Sequence, residues 1–245
     1  MRERPDAVDA VYAELMRARP DEMSALLARP DTDPALLMAV LRRPVPARFL
    51  ELIAGTPPWS REPRVLAAVV LNPRAPRALA QQLLPSLHWR DLADVAASPR
   101  VDGGARVRAE GLLKEQLPDL RLGERITLAR LATPVVLAPM LLDPEPRVAE
   151  AALLNPRLRE EDLVLAVRSA APPRALLEAA TRSPKWRESY AVRLALVLQP
   201  RTPLALALGQ LSALLPRDLE RVAETPGLPP LVQAAALRVA REPSG

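Results

Sequence analysis

The chain has 245 residues, 49% of them apolar, and 34 basic against 29 acidic side chains for a formal charge of +5, enough apolar content for a sizeable core. It has no cysteine and a single histidine, His88, which excludes disulfides, thiolate nucleophiles, iron–sulfur ligation and cysteine zinc sites and removes most imidazole-based schemes. Twenty-nine prolines against eight glycines, with an apolar content drawn mainly from Leu, Ala and Val, argue for helices and against sheet.

No apolar run reaches the roughly 18 residues of a membrane span. The charged opening MRERPDAVDAVYAEL lacks the apolar stretch of a secretory signal, so the expectation is a soluble, cytoplasmic protein with no membrane contact. Thirty-two arginines against two lysines, beside the Ala, Leu and Pro enrichment, are what a GC-rich genome writes. Neither half concentrates the excess charge, so basicity alone says little about a polyanionic partner.

Shifted by 127 positions, the chain falls on itself from about residue 25 to residue 101. Pro46, Pro57, Pro73, Pro76 and Pro99 land on Pro173, Pro184, Pro200, Pro203 and Pro226; Trp59 lands on Trp186, and Arg90-Asp91-Leu92 on Arg217-Asp218-Leu219. Such an offset indicates a tandem duplication, with a first copy over 1–127 and a second over 128–245. Positions apolar in both copies are expected to be buried: Val65 and Val192, Ala68 and Ala195, Leu79 and Leu206, Leu84 and Leu211, Leu92 and Leu219, Val95 and Val222.

In chain order, proline-separated segments with helical apolar spacing predict helices over PRVLAAVVL (63–71) and from His88 onward, then over RVAEAALL (147–154), EEDLVLAVRSA (160–170) and PRALLEAATR (173–182). RESYAVRLALVL (187–198), LALALGQLSALL (204–215), RDLERVAE (217–224) and LVQAAALRVARE (231–242) follow. Proline cannot continue a helix and restrains the residue before it, so each break ends one helix and opens the next. Pro144, Pro172 and Pro200 stand 28 apart, as do Pro156 and Pro184, the dimension of a helical hairpin that buries its apolar face only when stacked.

The segments VLNPRAPRAL (70–79), ALLNPRL (152–158) and VLQPRTPLAL (197–206) resemble the Asn-Pro-x-x-Pro punctuation of leucine-rich repeat variant proteins and, more loosely, bacterial HEAT-like repeat proteins. The proline spacing predicts an all-α fold, a solenoid of about eight to ten short helices per half, fewer if some segments are 3₁₀ turns, packed as one continuous solenoid. The resemblance covers most of residues 25–245 and implies a right-handed α-solenoid, a superhelix of stacked short helices. The iron–sulfur module found with one member of that family has no cysteines here to hold it.

Arg74, Arg100, Arg157, Lys185 and Arg201 each follow a turn proline. If successive turns stack, these cations form a ladder suited to an acidic protein surface or a phosphate backbone; the plainer alternative is solvated turn charge. Trp89 has no counterpart tryptophan and sits beside His88 and Arg90, which makes it a surface candidate, whereas Trp59 and Trp186 suit a wedge between helical layers. His88 aligns with Leu215, which fits a helix start better than a lone catalytic base, and Glu160, Glu161 and Asp162 fit the positive end of a helix dipole. Gly103-Gly104 lacks the lysine and flanking strand of a phosphate loop and reads as the joint between the last helices of the first copy. The expected function is a non-enzymatic scaffold or adaptor that binds another protein through an extended surface, without cofactor, metal or small-molecule ligand. The alternative is DNA binding through a basic edge or concave groove.

Overall fold

A computed structural model describes residues 5–241, and among them the chain forms seventeen α-helices, four short 3₁₀ turns and no strand. No helix among the described residues is long and apolar enough to cross a membrane. Two compact units divide the chain, Met1–Asp119 and Leu120–Gly245. The first holds α1 (Pro5–Leu15), α2 (Pro20–Leu27), α3 (Pro34–Leu41), α4 (Ala47–Gly55), α5 (Pro63–Leu71), α6 (Arg77–Leu83), α7 (Trp89–Ala97) and α8 (Gly103–Gln116). The second holds α9 (Leu122–Leu131), α10 (Pro134–Leu141), α11 (Pro146–Leu153), α12 (Glu160–Val167), α13 (Arg174–Arg182), α14 (Tyr190–Leu198), α15 (Leu204–Gln210), α16 (Pro216–Glu224) and α17 (Pro230–Arg241).

Proline sets the boundaries from both sides. Pro20, Pro34, Pro63, Pro134, Pro146 and Pro216 open their helices, where a missing N–H costs no hydrogen bond. Pro46, Pro76, Pro173 and Pro203 cap the starts of α4, α6, α13 and α15. Helix ends turn through a residue-proline pair: the Ala75 N–H donates to the Asn72 carbonyl at 2.9 Å, Leu158 to Asn155 at 3.1 Å and Thr202 to Gln199 at 3.0 Å. Each is a four-residue turn with proline in its second position, where the ring's fixed φ fits.

Within each unit, helices pack on the next but one. In the first unit α1, α3, α5 and α7 form a row, α4 packs on α2 and α8 on α6; in the second, α10, α12, α14 and α16 form a row, beside α9, α11 and α13, with α17 on α15. Helices of only seven to nine residues, common in both units, are too short to be stable alone, so their stability comes from this stacking.

The rows are tied by side chains that reach the carboxyl end of the preceding helix. Asn72 Nδ2, just past α5, donates to the carbonyls of Leu41 at 2.9 Å and Arg43 at 2.8 Å, at the end of α3. Asn155, past α11, does the same at the end of α9, to Ala129 at 2.8 Å and Ala132 at 3.1 Å. Gln199, past α14, donates to Val167 at 2.8 Å and Ser169 at 3.1 Å at the end of α12. Each amide oxygen then accepts the N–H two residues on, from Arg74, Arg157 and Arg201. Trp59 Nε1 donates to Leu27, the last residue of α2, at 3.1 Å, and Trp186 Nε1 to Leu153, the last of α11, at 2.9 Å. The last carbonyls of a helix have no partner within it, and these donors supply one inside the core.

The offset seen in the sequence recurs in the element bounds, with a correction. From α4 to α8 every helix begins 127 positions before its counterpart in α13 to α17, but α2 and α3 precede α11 and α12 by 126. The α12–α13 connection, Arg168–Pro173, is one residue longer than the α3–α4 connection, Arg42–Pro46, so a single register does not run unbroken from residue 25. Of the positions expected to be buried, Leu79, Leu206 and Ala68 are only half-buried, while the others are buried. Leu79 and Leu206 each sit one residue before the buried Ala80 and Ala207, about 100° round the helix from the buried direction, in helices under two turns long. Ala68 faces an open groove described below.

Asn155 is fully buried, and Asn155→Ala strands two carbonyls and an N–H; denaturant unfolding is expected to show a loss of about 2–4 kcal/mol. Asn72→Gln is expected to cost under about 1 kcal/mol, because Gln199 makes the same bonds from the equivalent position. Leu219→Ala should cost about 2–5 kcal/mol as a core cavity, and the half-buried Leu206→Ala about 1 kcal/mol.

Candidate functional site

The turn cations separate into engaged and free groups. Lys185 Nζ lies 4.1 Å from the ring centroid of Trp186, a cation–π contact that holds it over the buried indole. Arg157 Nη1 donates to the carbonyl of Leu131, the last residue of α9, at 2.8 Å, adding a third bond at that helix end. Lys185 is therefore committed to its own turn and Arg157 to the end of α9. The guanidinium groups of Arg74, Arg100 and Arg201 are exposed and have no hydrogen bond or ion pair with any described residue. Arg74 and Arg100 belong to the first unit and Arg157, Lys185 and Arg201 to the second.

Trp89 is not a surface residue. It opens α7 with 6% exposure, and its apolar ring is covered like those of Trp59 and Trp186. The exposed side chain at that joint is His88, whose Nδ1 accepts the Arg90 N–H at 3.4 Å as the cap of α7. Glu160, Glu161 and Asp162 fill the first turn of α12, where Arg159 pairs with Glu161 at 2.9 Å and Asp162 at 2.9 Å and the Ser189 hydroxyl donates to Glu160. Gly103 and Gly104 open α8, and Asp102 Oδ1 accepts the N–H groups of Gly104 at 3.0 Å and Ala105 at 3.3 Å.

A concavity lies in the first unit, across the row α3, α5 and α7. It is an open groove of about 590 Å³. Met38 and Leu41 of α3 and Ala67, Ala68 and Leu71 of α5 form an apolar floor. Arg42 follows α3, Arg64 lies in the first turn of α5, Asp91 in the first turn of α7, and Arg100 in the turn after α7. Of the six candidates drawn from the sequence, only Arg100 lines it. Arg42 and Arg64 have no distinguishing mark in the sequence, and Asp91 is marked there only by the repeated Arg90-Asp91-Leu92; what gathers the three is the stacking of helices some 25 residues apart.

In the second unit the position equivalent to Ala67 is Leu194, those equivalent to Ala68 and Leu71 are again alanine and leucine, Ala195 and Leu198, and those equivalent to Arg64 and Arg100 are Ala191 and Gly227. Asp218, the counterpart of Asp91, accepts a hydrogen bond from the Tyr190 hydroxyl, which in turn accepts the Leu215 N–H at 3.1 Å. Tyr190 stands where the first unit has Pro63, so Asp91 has no such partner. Burial raises the Asp91 carboxyl above the usual carboxylate range; positive charge at His88, Arg64 and Arg90 opposes that rise and Asp94 adds to it.

A carboxyl whose pKa is raised on folding binds protons more tightly in the folded state, so stability falls as pH rises from the unfolded value towards the raised one and is flat above it. Asp91→Asn is therefore expected to raise the melting temperature at neutral pH, with a gain that shrinks below about pH 4, read by thermal unfolding at several pH values.

No family model matches this chain, and neither does any curated protein or solved structure, so what the groove does follows from its own geometry and charge.

Proposed function

We propose that this chain is a right-handed α-solenoid of the HEAT-like or leucine-rich repeat variant kind, built from two tandem copies of a unit of about 127 residues, and that it acts in the cytoplasm as a non-enzymatic scaffold or adaptor for another protein. The packing of each helix on the next but one within each unit and the recurring element bounds support the repeat reading. The observation that carries the binding role is the groove over α3, α5 and α7, a concave surface left open by helices that are otherwise packed into the row. A stacked array can vary such a face without disturbing the packing beneath it.

Nucleic acid binding is the second reading, favoured by the free guanidinium groups of Arg74 and Arg201 and by the net charge of +5. Arg157 and Lys185, the other second-unit members of the proposed ladder, are occupied within the chain, which weakens that reading.

The test is chemical cross-linking and size-exclusion capture of the full chain in extracts of its native host, beside an Arg74/Arg157/Arg201 triple alanine variant and a duplex DNA titration. Capture of a stoichiometric protein partner by both forms is the expected result, with DNA binding that is weak and nearly unchanged in the variant. Tight DNA binding whose log–log salt slope flattens by about 0.7–0.9 for each arginine removed would instead make nucleic acid the ligand.

A further inference from the structure

We propose that the α3/α5/α7 groove takes a short acidic segment of a partner protein in which carboxylates flank an apolar side chain. The inference rests on the protein-binding role proposed above and specifies the partner's chemistry.

The rim is cationic in a way that stacking does not require. Arg64 and Arg100 are exposed and form no hydrogen bond or ion pair with any described residue, whereas Arg43, Arg48 and Arg77 in the same unit are paired with Asp9, Glu51 and Asp102. The second unit forms its equivalent row with Ala191 and Gly227 in their places, so neither charge serves the fold. A guanidinium that gives up no existing pair is free to fork a carboxylate with two parallel N–H bonds. Between the arginines the floor of Met38, Leu41 and Leu71 is apolar, and covering it removes apolar surface from water.

The same lining disfavours a nucleic acid strand. Among the described residues the groove has no aromatic side chain on which a base stacks. A protein segment does not need one, and its carboxylates are placed at Arg64 and Arg100 rather than at Asp91. With neighbouring helices about 8–10 Å apart, three helices abreast span roughly 16–20 Å, the length of about five or six extended residues.

The experiment uses the full chain and a fluorescein-labelled heptapeptide alternating Glu and Leu, with fluorescence anisotropy as the readout. Saturable binding is expected, weakened about tenfold or more when Gln replaces every Glu of the peptide, and by a similar factor in the double variant R64A/R100A. A68L, which fills the floor from the half-exposed face of α5, should also weaken it about tenfold, with thermal unfolding to verify that the variant folds. R74A/R201A, outside the groove, should bind as the unmodified chain does. No binding of the Glu-Leu peptide, equal binding by R64A/R100A, or stronger competition from a single-stranded oligonucleotide than from unlabelled peptide would overturn the assignment. A host partner that R64A/R100A and A68L still capture fully would overturn the groove and leave the broader protein-binding reading standing.

Discussion

The fold depends on how the carboxyl ends of its helices are satisfied. A helix of eight residues leaves half its carbonyls without an internal partner, and stacking such helices buries several of those groups. Water is excluded there, so the partner comes from the next helix of the row: Asn72 for α3, Asn155 for α9, Gln199 for α12. The tryptophan indoles do the same for α2 and α11. One side chain thus completes the hydrogen bonding of one helix, ends its own, and fixes the spacing between the two, while the proline after it turns the chain away.

This explains which parts of the molecule were legible from the sequence. Proline acts locally, through its fixed φ and missing N–H, so most helix starts follow from its positions, an exception being Pro139, which lies inside α10. Asn72 and Gln199 act across some 30 residues, and nothing in VLNPRAPRAL distinguishes an amide that points inward from one that caps its own turn. The cations beside them are conspicuous in the sequence, yet Arg157 is engaged by the end of α9 and Lys185 by the ring of Trp186. Trp89 misled for a related reason: it lacks a counterpart, but burial depends on the face of α7 that it occupies, not on whether Pro216 matches it. The one-residue insertion between α12 and α13 was hidden because prolines flank that connection in both units.

The two units also separate what the architecture needs from what it merely permits. Asn72 and Gln199 differ in length but make the same bonds, so that position is fixed by stacking. Ala67 and Leu194, Arg64 and Ala191, and Arg100 and Gly227 differ in size or charge on rows that pack alike. The first unit keeps an open, arginine-rimmed groove at those positions, and the second packs Leu194 against its core and engages Asp218 through Tyr190. Differences of this kind, on a scaffold that tolerates them, are where a binding surface of such an array resides.

The central claim is that buried amide side chains hold successive helices of a row together. Hydrogen exchange of the side-chain carboxamide protons, followed by NMR, tests it most directly. The Asn72, Asn155 and Gln199 amides are expected to exchange only through opening of the stacked helices, orders of magnitude more slowly than the exposed Gln82. Exchange of all three at the rate of Gln82 would contradict the account.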